Sequence, residues 1–533
     1  MKPSETEMKL LYNARVHTLD ERKPAANVIL IDGDHIVSVG GKELYNQFQG
    51  KEKEDLQGRT ILPGLIDAHL HLQEYAMSFQ KVDCETKTRS ECLRRVAEHA
   101  NRIRDNSWVL GHGWNQNIWP EGFGTATDID ELVPDRPVYL TAKSLHASWV
   151  NSCALRLAGI NAQTMDPKNG IIQRDDHGQP SGILFEKASR LVEDVIPAPD
   201  TDLLANAIKD IQVRFWSHGL TAVHDFDRSP TYEALNSLNE SYELYIRVVK
   251  NIHQDEFQKA LTSNLCSGFG DDMLKIGSVK LFADGALGPH TAAMLESYDD
   301  DRDNLGVLLM NAEELVETYG RPAADGRLSL AVHAIGDRAN REVLDALVMV
   351  RDYEKKRGYA ALRHRIEHVQ LIHPRDAPRL AELGIIASMQ PVHATSDMEM
   401  ADSLWGKRCL GAYANRTILK SGAHMAFGSD APVESPNPFL GLHAAVTRRR
   451  QDGSPGEDGW HPQQRLSLTE ALQGFTTGPA YAASMEDRQG KLKDGYYADL
   501  IVLDSDPFSC AQDEICDLQP VATMVAGKWV WRN

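Results

Sequence analysis

No stretch of this chain approaches the ~18 consecutive apolar residues that a membrane-spanning helix needs. The opening MKPSETEMKLLYNARVHTLD has no apolar core of the kind a secretory leader carries. Cysteine is sparse: the seven residues, Cys84, Cys92, Cys153, Cys266, Cys409, Cys510 and Cys516, form no C-x-x-C pair and are odd in number. That fits free thiols in a reducing compartment rather than a disulfide framework, and the expectation is a cytoplasmic protein. Positive charge is also short, with 57 Lys and Arg against 76 Asp and Glu, a formal net charge of −19. Such a chain repels polyanions, which argues against nucleic acid as a partner. The run Arg448-Arg449-Arg450 reads as a solvated helix face. There is no internal repeat and no low-complexity tract. What remains is ordinary globular composition, 42% apolar and 25% charged over 533 residues, long enough for a large barrel or several domains.

Both ends are patterned as β structure. LLYNARVHTLD and ANVILIDGDHIVSVG alternate around turn signals such as Asp32-Gly33, and KLKDGYYADLIVLD and VATMVAGKWVW are rich in Val, Ile and aromatics. Two β-rich ends around a different middle predict one small domain built from both termini. The middle alternates strand and helix. The opening strand, read from Leu65, Ile66 and Ala68 in PGLIDAHLH, is followed by LTAVHDF (220–226), YIRVVKNI (245–252), KIGSVKLFADG (275–285), LSLAVHAIGD (328–337), HRIEHVQLI (364–372), IIASMQP (385–391) and HMAFGSDAPV (424–433). Eight strands with helices between most of them predict a (β/α)8 TIM-like barrel. TDLLANAIKDIQVRFWSHG, capped at Asp200 or Thr201 and stopped at Gly219, is a clear helix, and Ser467 with Glu470 forms a capping box. The predicted organisation is a β-sandwich from 1–59 and 487–533, a barrel from 60–74 and 205–486, and a large insertion, 75–204, after the first barrel strand. Loops at that end of a barrel surround the catalytic face, so the insertion is expected to roof the site.

In such barrels the reactive side chains sit at the C-terminal ends of strands. The first strand ends in PGLIDAHLH, where His69 and His71, two apart on a strand, point the same way. An isolated His-x-His has two readings, satisfied polar residues or a bidentate metal grip. The other strand ends supply Lys280 (SVKLFADG), His333 (AVHAIGD), His368 (RIEHVQ) and Asp430 (GSDAPV). Singly, each has a structural explanation: a snorkelling lysine, a hydrogen-bonded core histidine, a helix cap. Six together on the strand ends of one barrel are harder to dismiss as structural.

Those segments, with GWNQNIWPEG, SLHASWVNSCAL, GIIQRDDHGQPSGIL, KLFADGALG, HAIGDRANREVL, GYYADLIVLDSDPF and VAGKWVW, resemble the amidohydrolase superfamily over nearly the whole chain. Within it they are similar to the metal-dependent hydrolase subgroup that includes N-substituted formamide deformylase. The resemblance implies one or two divalent metals, usually zinc, and a homodimer at the family level. It implies that His69, His71 and Asp430 bind one metal, that His333 and His368 bind the second, and that Lys280 bridges them as an N-carboxylated lysine. With Lys280 unmodified, a single-metal site of His69, His71, one further histidine and Asp430 is the alternative. A buried amine beside two cations has its pKa pushed down and can add CO2, giving two anionic oxygens.

The function this implies is hydrolysis of a carbon–nitrogen bond in a non-peptide amide, cyclic amide or N-formyl compound, by a metal-activated water. Asp430 would serve as the catalytic proton carrier, from the water to the leaving nitrogen. The alternatives are an ester or lactone hydrolase with the same centre, and a metal-holding binding or regulatory protein. The candidate substrate contacts are Trp114, His146, His224, Asp284 and His290, with His112, Asn115 and Trp119 also in the insertion. His290, preceded by Pro289, stands where related sequences commonly carry arginine after a small residue. Glu367 is expected to pack away from the centre, because adjacent strand residues face opposite ways. A small molecule is the expected partner, with neither nucleic acid nor membrane.

Overall fold

Eight short segments, apolar and buried almost throughout, build the sheet that carries the site. In the computed structural model, which describes residues 8–48, 50, 52–102, 107–116, 118–143, 147–167, 170–197 and 199–533, they are β1 (Leu65–Leu70), β2 (Leu220–Asp225), β3 (Arg247–His253), β4 (Leu274–Phe282), β5 (Leu330–Ala334), β6 (Arg365–His368), β7 (Ile386–Met389) and β8 (Met425–Phe427). Each pairs in parallel with the next in sequence, giving an eight-stranded sheet. Parallel strands covered on both faces need apolar side chains on both, which is why LIDAHL and LTAVHD are buried at every position.

The sheet curls until its first and last strands meet. The Asp430 amide donates to the His69 carbonyl at 2.7 Å, and the His71 amide to the Ala431 carbonyl at 2.8 Å. At Gly428 a Cβ would lie 2.4 Å from the His69 amide nitrogen, so glycine is what lets the end of β8 come this close to β1. Asp67 clasps the same seam. It accepts the Ser429 hydroxyl at 2.5 Å and the His69 amide at 3.0 Å. The closing bonds are therefore the ones that set His69, His71 and Asp430 side by side.

The barrel interior holds a buried charge. The Arg365 guanidinium donates to the Ala68 carbonyl at 2.7 Å, to Ser388 Oγ at 2.5 Å and to His224 Nδ1 at 3.0 Å, and it ion-pairs with Glu367. One side chain on β6 thus ties together β1, β2 and β7. A buried guanidinium tolerates desolvation only when its donors are used in this way.

Helices cover the strands. The segment Thr201–Ser217 precedes β2 and ends at Gly219, which takes a left-handed φ of 79° before the strand begins. The long helix Asp337–Arg357 follows β5 and carries Lys355, Lys356 and Arg357 in its last turn, where cations complement the helix dipole. Ser467 and Glu470 form the reciprocal capping box at the start of Leu468–Gly474. The basic run is not a solvated face. Arg448 is buried, donates to the Trp460 and Tyr413 carbonyls and lies 5.0 Å from the Trp460 ring centroid, because its left-handed backbone turns it inward at the helix end.

Two further sheets accompany the barrel. One is four-stranded, from Lys9–Tyr12, Val28–Asp32, His35–Gly40 and Glu52–Asp55. The other mixes the two ends of the chain, pairing Thr60–Pro63 with Leu500–Leu503. Leu11, Ile29, Ile61, Leu500, Val502 and Met524 share one core. A buried two-pronged ion pair, Arg247 to Asp499 at 2.7 and 3.1 Å, ties β3 to this part.

Residues 76–200 form a separate compact unit. It contains a six-stranded sheet, and Trp114, Trp119 and Trp149 pack edge to face or tilted in its core with Cys84, Val96 and Ile129. All seven cysteines are unpaired. Among the described residues no helix is long and apolar enough to cross a membrane.

Candidate metal centre

His69 and His71 flank the end of β1, their ring centroids 5.7 Å apart. Each has one ring nitrogen already committed. His69 Nδ1 donates to Glu367 Oε2 at 2.6 Å, and His71 Nδ1 to Asp227 Oδ1 at 3.1 Å. A carboxylate on Nδ1 fixes the tautomer and leaves the Nε2 lone pair pointing outward. Both Nε2 atoms converge on one oxygen, His69 at 3.5 Å and His71 at 3.4 Å from Asp430 Oδ1. Ligand atoms on a tetrahedral zinc with bonds of ~2.0–2.2 Å stand roughly 3.3–3.5 Å apart, so this triangle has the dimensions of a coordination face.

The other oxygen of Asp430 faces a second group. His393 Nε2 lies 4.0 Å from Asp430 Oδ2. His368 Nδ1 donates to Gln390 Oε1 at 2.9 Å, which again directs Nε2 away. Among the described residues, His69, His71 and Asp430, and separately His368, His393 and Asp430, bring three ligand atoms within 4.8 Å of one another. Neither His69 Nε2 nor His393 Nε2 has a hydrogen-bond partner among the described residues, although both atoms are shut off from solvent. Buried polar atoms are normally paired. Two imidazole nitrogens left open toward one carboxylate fit a cation.

Backbone geometry contributes to the convergence. His368, Val369 and Asp430 all take left-handed φ values, of 76°, 44° and 59°. Non-glycine residues adopt this region at a cost, and it re-aims the side chains where β6 and β8 end. His333 donates Nε2 to the Gly285 carbonyl at 2.9 Å and meets the His368 ring edge to face, 4.5 Å between centroids. Lys280 is buried, its Nζ 4.9 Å from the Phe226 ring centroid and 5.1 Å from that of Phe282.

Burial lowers His69 to about 4 and His333 to about 3, with the Lys280 charge adding to both. Burial likewise brings Lys280 down to about 8. His71 goes the other way. Burial opposes its charged form, but the bonds to Asp227 and Asp430 prevail and raise it to about 10. Burial also works against the Asp430 carboxylate, yet the His71 hydrogen bond and the neighbouring imidazoles hold it well below the usual range. A cation at this centre therefore meets an ionised carboxylate and neutral imidazoles at His69, His333 and His368, and competes with a proton on His71.

The six strand-end residues predicted from sequence, His69, His71, Lys280, His333, His368 and Asp430, all line one pocket of about 380 Å3, open to solvent. Its wall is apolar, from Phe282, Leu287, Ile335, Met400 and Val433. The other candidates are elsewhere or otherwise engaged. His224 is buried against Arg365 inside the barrel. Asp284 accepts the backbone amides of Ala293, Ile335 and Gly336 at 2.8–3.0 Å, a loop-holding role. His290 pairs with Asp300 at 2.9 Å and leans on Tyr298. Trp114 and Trp119 are buried in the 76–200 unit and donate to the Leu140 and Thr86 carbonyls, and His112 bonds Thr141. His146 lies outside the described residues.

Glu367 corrects the sequence reading. It points inward with Arg365 and grips His69, while the left-handed turn at His368 brings the next side chain to the same centre. His393, Gln390 and Asp227 were missed. The signal for the first two was present in QPVHATSD, polar residues directly after the seventh strand.

Residues 52–531 match the amidohydrolase family. A putative amidohydrolase, YtcJ, of Bacillus subtilis (strain 168) is 32% identical over 97% of this chain and 98% of its own length. An N-substituted formamide deformylase of Arthrobacter pascens is 28% identical over 97% of each. The crystal structure of an uncharacterized metal-dependent hydrolase from Pyrococcus furiosus superposes with a TM-score of 0.80 at 29% identity, covering 94% of this chain and all of the other. A hydrolase fold and a divalent metal follow from these likenesses together with the His/His/Asp geometry.

Proposed function

Because the chain belongs to the amidohydrolase family, we propose that it hydrolyses the carbon–nitrogen bond of a small non-peptide amide, cyclic amide or N-formyl compound at a zinc centre. The first cation would be held by His69, His71 and Asp430, the second by His333 and His368. Lys280, N-carboxylated, would bridge them. The observation that carries this reading is the pair of buried Nε2 atoms, without a hydrogen-bond partner among the described residues, that face opposite oxygens of Asp430. Bound divalent zinc lowers the pKa of a water from ~15.7 toward ~7 and polarises the scissile carbonyl.

The chain's own groups do the rest. Asp430, held ionised, takes the proton of the attacking water and delivers it to the leaving nitrogen. Glu367, Asp227 and Gln390 keep three imidazoles in fixed orientation and tautomer. Lys280, with its pKa brought down to about 8, offers a neutral amine fraction that attacks CO2. The ammonium loses one proton to give that amine, the nitrogen loses a second as the N–C bond forms, both pass to solvent, and the carbamate oxygens carry the negative charge.

The pocket supports a substrate class. Among the described lining residues there is no arginine, and Lys280, the one lysine, would carry negative charge as its carbamate, beside the acids Asp397, Asp430 and Glu434. With the apolar wall this favours an amide bearing an uncharged, apolar substituent over one bearing a carboxylate. The relative from Arthrobacter pascens is named for N-substituted formamides, so that class opens the test. Zinc-loaded protein is screened against N-substituted formamides, cyclic amides and matched esters, beside Asp430→Asn. Amide turnover that collapses in the variant supports the reading. Turnover of esters alone transfers it to ester hydrolysis, and no turnover at all favours a metal-holding binding protein.

A further inference from the structure

We propose that His393, on the short helix Pro391–Ser396 that follows β7, is a ligand of the second cation, and that Asp430 spans both cation positions with one oxygen toward each. The inference rests on the metal-centre reading above and adds a residue that the strand-end pattern did not supply.

Three observations carry it. First, His393 Nε2 is buried and has no hydrogen-bond partner among the described residues. Its Nδ1 lies 3.5 Å from the Gln370 side-chain amide. The amide oxygen and nitrogen of Gln370 exchange by a simple flip. With the oxygen toward the ring, Nδ1–H donates to Gln370 and Nε2 becomes the free donor atom.

Second, the free atom is aimed at the centre. It stands 4.0 Å from Asp430 Oδ2, and its ring lies nearly parallel to that of His368, 15° between planes and 6.3 Å between centroids. The ligand atoms of His368, His393 and Asp430 lie within 4.8 Å of one another. The two Asp430 oxygens divide the labour: Oδ1 faces His69 and His71, and Oδ2 faces His393.

Third, the helix is fixed. The Asp397 amide donates to the His393 carbonyl at 2.9 Å, the Asp397 carboxylate accepts the Tyr413 hydroxyl at 2.5 Å, and Arg450 Nε donates to the Thr395 carbonyl at 2.9 Å. A side chain mounted on such a segment is held in place for coordination.

The test is a titration of metal-free, full-length protein with Co2+. Bound metal is counted by equilibrium dialysis with elemental analysis, and coordination is read from the d–d absorption. The wild type is expected to take two ions per chain. His393→Asn should keep one at wild-type affinity, bind the other at least ~10-fold more weakly, and lose intensity in the second half of the spectral titration. His71→Asn should show the converse. Circular dichroism checks each variant, and His393→Gln replaces His393→Asn if that does not fold. If His393→Asn binds two ions with unchanged affinity and spectrum, His393 is not a ligand. A wild type that binds a single ion overturns the second position while leaving a one-metal hydrolase intact. A wild type that binds none removes the underlying reading as well.

Discussion

Glu367 Oε2 lies 2.6 Å from His69 Nδ1, with both side chains sealed from solvent, and Arg365 holds Glu367 from the other side. This chain of contacts links the barrel's buried charge to the metal centre. It keeps the His69 proton on Nδ1 and the Nε2 lone pair open. Glu367→Gln keeps the shape, loses the charge, and leaves Arg365 without its counter-ion. Zinc affinity should fall about 10- to 100-fold by equilibrium dialysis, and the unfolding midpoint should drop. Unchanged affinity would show that Glu367 serves the fold alone.

Asp430 is asked to hold cations and to carry a proton. At saturating zinc, confirmed by metal analysis of the same sample, Asp430→Asn should lower kcat by about 10^2- to 10^4-fold, because an amide oxygen still coordinates weakly but cannot take a proton. Wild-type turnover in this variant would assign the proton transfer to another group.

Much of the centre was readable from sequence because a barrel confines it to strand ends. A polar residue that terminates an apolar run, such as His333 in AVHAIGD or Asp430 in GSDAPV, stands out, and the eight-strand frame gathers such residues at one rim. What was not readable depends on backbone detail. Glu367 was misassigned because strict alternation assumes extended backbone, and His368 departs from it with a φ of 76°. His393 is on a helix two residues beyond a proline, where strand periodicity says nothing. Asp284 and His290 are in the loop after β4, and only the folded loop shows that their partners are backbone amides and Asp300.

His224 offers a pH test away from the ligands. Burial, with Arg365 adding to it, holds its pKa well below the ordinary 6.5. Below that value the unfolded chain binds a proton that the folded chain refuses, so this contribution to stability is present above pH ~6.5 and lost as pH falls. With chelator present throughout, urea unfolding of His224→Gln should depend less steeply on pH than the wild type below ~6.5, by up to about 1.4 kcal/mol per pH unit. Equal slopes would contradict the assignment, whatever the constant offset from the lost Arg365 bond.

The apolar wall sets a specificity test. Met400→Ala removes a flexible side chain that lines the pocket. For an amide with a bulky apolar substituent kcat/KM should fall about 10-fold or more, and for a small analogue it should change little. An equal loss on both would mean that Met400 supports the centre rather than the substrate.

The proposed centre requires that cations join these histidines around Asp430. Elemental analysis of metal per chain, paired with gentle intact-mass measurement of Lys280, tests it most directly. About two zinc-like ions per chain are expected, with the added mass of one CO2, lost on acidification. Protein that holds no metal after careful reconstitution would contradict it, and His69 and His71 would then be two histidines at the end of a strand.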